Sequence, residues 1–128
     1  MSHKYTAYAA LLGGAAVLLG AFGAHALKAT LDSYALEIWR TAVFYHLTHA
    51  VAILALSMVA FNDADRTRLW ALRALFIGTV IFSGSLYLLA LTSIKLLGGV
   101  TPVGGLCLMV GWLLVFIAAY QNSKTEQT

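Results

Sequence analysis

Residues 5–26 read YTAYAALLGGAAVLLGAFGAHA, a run without Asp, Glu, Lys or Arg, bounded by Lys4 and Lys28. A bilayer's hydrocarbon core is ~30 Å thick and is crossed by ~20 apolar residues in a helix, so this run predicts a spanning helix. Three more runs of similar character follow at about 35–61, 69–92 and 103–120. The connectors, 28–33, 62–68 and 93–102, carry Asp, Asn, Gly98-Gly99 and Pro102, the residues that end helices. Links this short place consecutive helices side by side and antiparallel. The expected fold is an all-α integral membrane protein, an up-down-up-down four-transmembrane-helix bundle forming one membrane domain over residues 1–128.

Composition agrees. A mean hydropathy of +0.84, 61% hydrophobic and 10% charged residues leave too little polar surface to coat a soluble globule. The net charge of +3 could suggest nucleic acid, but the eight Lys and Arg are scattered over helix ends with no basic run. They read as topology signals, and no nucleic-acid partner is expected. Cys107 is the one cysteine, so no internal disulfide can form. It lies in an apolar run without a cationic neighbour to lower its pKa, so it reads as a small hydrophobe.

Lys and Arg are retained on the cytoplasmic side of short loops. Lys4, Arg66, Arg68, Arg73 and Lys124 fall on one side and Lys28, Arg40 and Lys95 on the other, five against three. A multi-pass membrane protein with both termini cytoplasmic is expected. Lys4, the first apolar run and Ala24-His25-Ala26 imitate a secretory signal with its Ala-x-Ala cleavage site, but the run exceeds the usual ~7 to 15 residues of such a core.

Helices in lipid associate through small residues that let backbones approach. Ala9 and Gly13, then Ala16, Gly20 and Ala24, repeat at four-residue spacing, with Gly23 beside them. Ala71, Ala74, Gly78 and Ser85 form a stripe in the third run, and Gly104 and Gly111 share a face of the fourth. These predict packing surfaces. Trp39, Tyr5 and Tyr120 lie near membrane boundaries, where amphipathic rings settle.

One segment breaks the hydrocarbon pattern: residues 37–49, EIWRTAVFYHLTH. At about 100° per residue, Glu37, Thr41, Phe44 and Thr48 align, flanked by Arg40 on one side and by Tyr45, His49 and His46 on the other. Charged groups inside a membrane persist mainly where they face protein, water or a ligand, so this arc is expected to point inward, with Trp39, Val43, Leu47, Ala50 and Leu54 facing lipid. His25, Ser83, Ser85, Tyr87, Thr92 and Thr101 fall at the same outer level. A candidate polar cavity in the outer half is therefore assembled from His25, Glu37, Arg40, Thr41, Tyr45, His46, His49, Ser83, Ser85 and Tyr87.

Plainer roles compete for each residue. Glu37 and Arg40, three apart, suit an ion pair at a helix start. His46, His49, Ser83, Ser85 and Tyr87 suit hydrogen bonds that glue helices together. His46-x-x-His49 has usable spacing for a metal, with His25 or Glu37 as completers, but structural sites need four ligands, so the motif is weak. No catalytic constellation is visible, and no serine, histidine and acid are spaced as a triad.

Four blocks carry a family resemblance: Gly20-Ala-Phe-Gly-Ala-His-Ala-Leu27; Trp39-x-x-Ala-x-x-Tyr45-His46-x-x-His49-Ala50; Phe82-Ser-Gly-Ser-Leu-Tyr-Leu-Leu89; and Thr101-Pro-x-Gly-Gly105 with Gly111-Trp112. Together they resemble the small bacterial inner-membrane family described as domain of unknown function 423, which also includes human transmembrane protein 256. The resemblance covers nearly the whole chain. It implies a four-helix membrane protein and brings no catalytic residues or cofactor with it.

The function expected from these readings is a non-enzymatic binding or assembly module. Its occupant would be a membrane lipid, a quinone-like molecule or a membrane-protein partner, with homo-oligomer formation in view. The rivals are a proton-coupled or solute transporter acting as a homo-oligomer, and a metal or haem redox protein using the histidines. No cofactor is favoured.

Overall fold

A computed structural model describes residues 3–59 and 65–127. Four helices cross it: α1 (His3–His25), α2 (Ser33–Met58), α3 (Arg66–Thr92) and α4 (Leu96–Thr125), with a short 3-10 turn at Leu27–Ala29. All four are long and apolar enough to span a membrane. The fold is an all-α, up-down-up-down membrane bundle. The far end of the expected second run, up to Phe61, and the connector residues Asn62, Asp63 and Ala64 lie outside the described residues.

Helix starts follow local chemistry. Asp32 caps α2, its carboxylate accepting from Ala35 N–H at 2.8 Å; Asp65 caps α3, accepting from Thr67 and Arg68 N–H at 3.0 and 3.3 Å. Each satisfies donors that the first helical turn leaves unpaired. α3 ends at Ser93, whose φ of 58° is the left-handed conformation that closes a helix. α4 begins at Leu96 rather than near residue 103, because Pro102 sits inside the helix instead of starting it. Gly98 and Gly99 in its first turn, read as connector residues, are helical.

Close helix packing runs in chain order, α1 on α2, α2 on α3 and most extensively α3 on α4. Glycines explain that last interface. A Cβ on Gly104 would fall on the Phe82 backbone, and one on Gly111 or Gly78 would approach the side chains of Leu75 and Leu108 to 2.7 and 2.9 Å. Only glycine lets the two backbones come this near. Ala9, Ile53, Leu72, Leu75 and Leu108 form the main core, and Leu27, Trp39 and Ala90 a second one.

The start of α1 and the end of α4 lie at one end of the bundle, here the terminal end; the α1–α2 and α3–α4 connections lie at the other, here the distal end. At the terminal end Lys4 lies over Tyr8, Arg73 over Trp70 and Lys124 over Tyr120, at 5.7, 4.9 and 4.7 Å from the ring centres. Arg68 is buried there, donating to the Leu56 carbonyl at 3.1 and 2.7 Å and to Ser57 at 3.2 Å. Its guanidinium thereby satisfies carbonyls at the C-terminus of α2, where a cation also meets the negative end of the helix dipole.

Candidate functional site

The inward face of α2 differs from the expected arc. Trp39, Ala42, His46, His49, Ala50, Ile53 and Ser57 are buried, whereas Glu37, Arg40, Thr41, Phe44 and Thr48 are exposed. Two of the residues assigned to lipid, Trp39 and Ala50, are thus interior. Thr41 and Thr48 donate to the Glu37 and Phe44 carbonyls of their own helix at 3.0 and 2.8 Å and so need no interior partner. Glu37 and Arg40 stand in the first turns of α2, where long side chains can leave the interior toward the distal end.

Trp39 is not a boundary anchor. Its indole fills the space left by Gly23, where a Cβ would lie 2.5 Å from the ring, and its Nε1 donates to the Leu19 carbonyl of α1 at 2.9 Å. It also packs on Tyr87 with ring centres 4.6 Å apart. An indole presents a large apolar body and one donor, so burial here is favourable only because that donor is met.

The two histidines are handled differently. His49 is held at both ring nitrogens: Nδ1 lies 2.8 Å from the Tyr45 carbonyl, and Nε2 accepts from Trp112 Nε1 at 3.0 Å. His46 shares one hydrogen bond, Nδ1 with the Tyr87 hydroxyl at 2.9 Å. Its Nε2 is buried without a partner of hydrogen-bond geometry, although the imidazole stands within electrostatic reach of the Leu12 backbone of α1. The pair meets because side chains lean toward the N-terminus of their helix. His46 thus points toward the distal end while Tyr87, on the antiparallel α3, points away from it.

Between α1, α2 and α3 a cavity of about 220 Å³ opens beside His46, lined by Leu12 and Leu19, by Ser83 and Tyr87, and by Thr79 and Gly84. Of the ten residues singled out in the sequence, it brings together His46, Ser83 and Tyr87. Ser83 donates to the Ala42 carbonyl at 2.8 Å, and Ser85 shares a hydrogen bond with Thr101 at 2.7 Å, joining α3 to α4. Tyr45 lies against Phe82, ring centres 4.6 Å apart, and stacks along His49. His25, exposed at the end of α1, and the exposed Glu37, Arg40 and Thr41 do not line the cavity. Thr79 and Gly84, which do, were missed; Thr79 buries its hydroxyl by donating to Leu75 at 2.7 Å, and nothing in the sequence marks it. Among the described residues, no three His, Cys, Asp or Glu side chains gather closely enough to hold a metal ion.

Four apolar spanning helices, bridged in their interior by imidazole, indole, phenol and hydroxyl groups, define a small multi-pass membrane protein. The chain belongs to the family described as protein of unknown function (DUF423), whose model matches residues 19–105. It is 40% identical to the UPF0382 inner membrane protein YgdD of Escherichia coli over 117 residues, 91% of this chain and 89% of that one. It is 40% identical to a UPF0382 membrane protein of Staphylococcus haemolyticus, across 80% of this chain and 83% of the relative. The Bacillus subtilis membrane protein YwdK is 39% identical, across 81% and 85%. No solved structure matches the chain.

Proposed function

We propose that the protein is a non-enzymatic membrane binding module whose cavity beside His46 takes the oxygen-bearing headgroup of a neutral, lipid-soluble molecule of quinone-like chemistry. The observation that carries this reading is the Nε2 of His46, which lines the cavity wall without a partner of hydrogen-bond geometry and which a ligand oxygen meets once the imidazole turns toward the cavity. His46 is 6% exposed, and an unsatisfied polar group within hydrocarbon costs several kcal/mol. A ligand oxygen would remove that cost. The cavity is smaller than the ~300 to 1,000 Å³ of sites that enclose a whole small molecule, which suits a headgroup whose tail remains in lipid.

Quinone chemistry fits both tautomers of the imidazole. When the Tyr87 hydroxyl donates to Nδ1, Nε2 carries the proton and can donate to a carbonyl; when Tyr87 accepts, Nε2 can accept from a hydroxyl. A quinone presents the first group and a quinol the second. The transporter reading has less support: toward the terminal end from His49 the core closes into Ala9, Ile53, Leu72, Leu75 and Leu108. The Escherichia coli relative's name and the five-against-three distribution of Lys and Arg support a bacterial plasma membrane with cytoplasmic termini.

The test is equilibrium binding of a short-chain benzoquinone to the purified full chain. Saturable binding, weakened about tenfold or more by His46→Leu, as expected when a desolvated hydrogen bond is lost, supports the reading. Gly84→Leu serves as a second variant, because Gly84 lines the cavity and a Cβ there meets nothing within 4 Å, so the larger side chain is expected to take up cavity space. Binding unchanged in Gly84→Leu overturns it.

A further inference from the structure

A second and larger groove, about 570 Å³, runs between α1 and α2 on another face of the molecule. Gly20 and Gly23 form its floor on α1, and Val43, Phe44 and Leu47 line it on α2. The two charged side chains that line it, Lys28 and Arg40, are both cations, and both stand toward the distal end. From Arg40 to the innermost lining residue, Thr48, the groove descends about 12 Å along α2. One end is therefore doubly positive and the rest apolar apart from Thr48, whose hydroxyl donates to the Phe44 carbonyl of its own helix.

Neither neighbouring acid lines that end, and the carboxylate of Asp32 is turned to the Ala35 N–H that it caps. Glu37 lines a different groove, with Tyr34, Ile38, Thr41 and Leu86. Among the described residues, Glu37 and Arg40 make no ion pair with each other, although their spacing invited one. Lys28 lies just past the C-terminus of α1, where a cation meets the helix dipole, which accounts for a charge there but not for its convergence with Arg40 on one groove.

We infer that this groove binds an anionic phospholipid, with the phosphate held by Lys28 and Arg40 and an acyl chain laid along Val43, Phe44 and Leu47. Guanidinium and ammonium groups are the usual partners of phosphate oxygens, and Arg offers two parallel donors to them. The apolar length below the cations distinguishes a lipid from free phosphate. The site shares no lining residue with the cavity beside His46, so each stands or falls without the other.

The deciding experiment is native mass spectrometry of the delipidated full chain, titrated separately with phosphatidylglycerol and with phosphatidylcholine of the same acyl chains. Each basic residue near an anionic headgroup is worth a factor of about five, so phosphatidylglycerol is expected to bind about 30-fold more tightly. The double variant K28Q/R40Q removes that preference, while K95Q, which neutralises a distal cation outside the groove, preserves it. Both substituted side chains are exposed, so folding is retained, as the helical circular dichroism signal will show. Equal affinity for the two lipids, or an undiminished preference in K28Q/R40Q, overturns the inference. Displacement of the lipid by millimolar inorganic phosphate also overturns it, since the site would then read phosphate alone.

Discussion

The indole N–H of Trp112 donates to Nε2 of His49 across 3.0 Å, tying α4 to α2. Because an indole nitrogen can only donate, Nε2 must be unprotonated, and the proton resides on Nδ1, which donates to the Tyr45 carbonyl at 2.8 Å. His49 is thus a neutral imidazole in a single tautomer. Interhelical hydrogen bonds in membranes average about 0.6 kcal/mol and reach about 1.7. Trp112→Phe is expected to lower stability within that range, and the double-mutant cycle with His49→Leu to return a coupling of similar size in denaturant titrations. A coupling indistinguishable from zero would show that the contact contributes nothing.

The notch at Gly23 makes a steric prediction. Gly23→Ala puts a methyl group 2.5 Å from the Trp39 ring, so either the indole leaves its place on Leu19 or α1 and α2 separate. Overpacking of this kind costs about 1 to 3 kcal/mol. Gly14→Ala, whose added Cβ meets nothing within 4 Å, should not lower the thermal midpoint and by helix propensity alone should raise stability by up to about 1 kcal/mol.

Arg68 supplies a test at the terminal end. Its donors satisfy carbonyls of Leu56 and Ser57, so Arg68→Met, which keeps much of the stem and removes the charge, is expected to destabilise by about 1 to 3 kcal/mol. Arg66→Met, two residues earlier and exposed, should change stability by no more than about 0.5 kcal/mol.

The fold class was legible in the sequence because spanning helices need only length and hydropathy, the family through the resemblance of four sequence blocks, and the packing stripes because backbone approach demands small residues. Ala9, Ala16, Gly78, Gly104 and Gly111 are all buried. The rotation of α2 was not legible. A helical wheel treats polarity as the signal of an inward face, but Thr41 and Thr48 satisfy themselves on their own helix, and Glu37 and Arg40 stand close enough to the distal end to leave the interior. What turned α2 was a shape match, Gly23 against Trp39, between residues in different helices. The differing fates of His46 and His49 depend on a tyrosine from α3 and a tryptophan from α4, and no periodicity along α2 encodes those partners.

The central claim is that the buried Nε2 of His46 meets an oxygen of a bound lipid-soluble molecule. Native mass spectrometry on protein extracted gently from its own membrane tests it most directly, comparing the parent with Gly84→Leu, which adds bulk at the cavity wall and leaves His46 in place. The account predicts a discrete added mass of a quinone-like compound on the parent, absent from the variant. A parent carrying no such mass, or one retained unchanged by Gly84→Leu, would contradict it and leave His46 as one more bridge between helices.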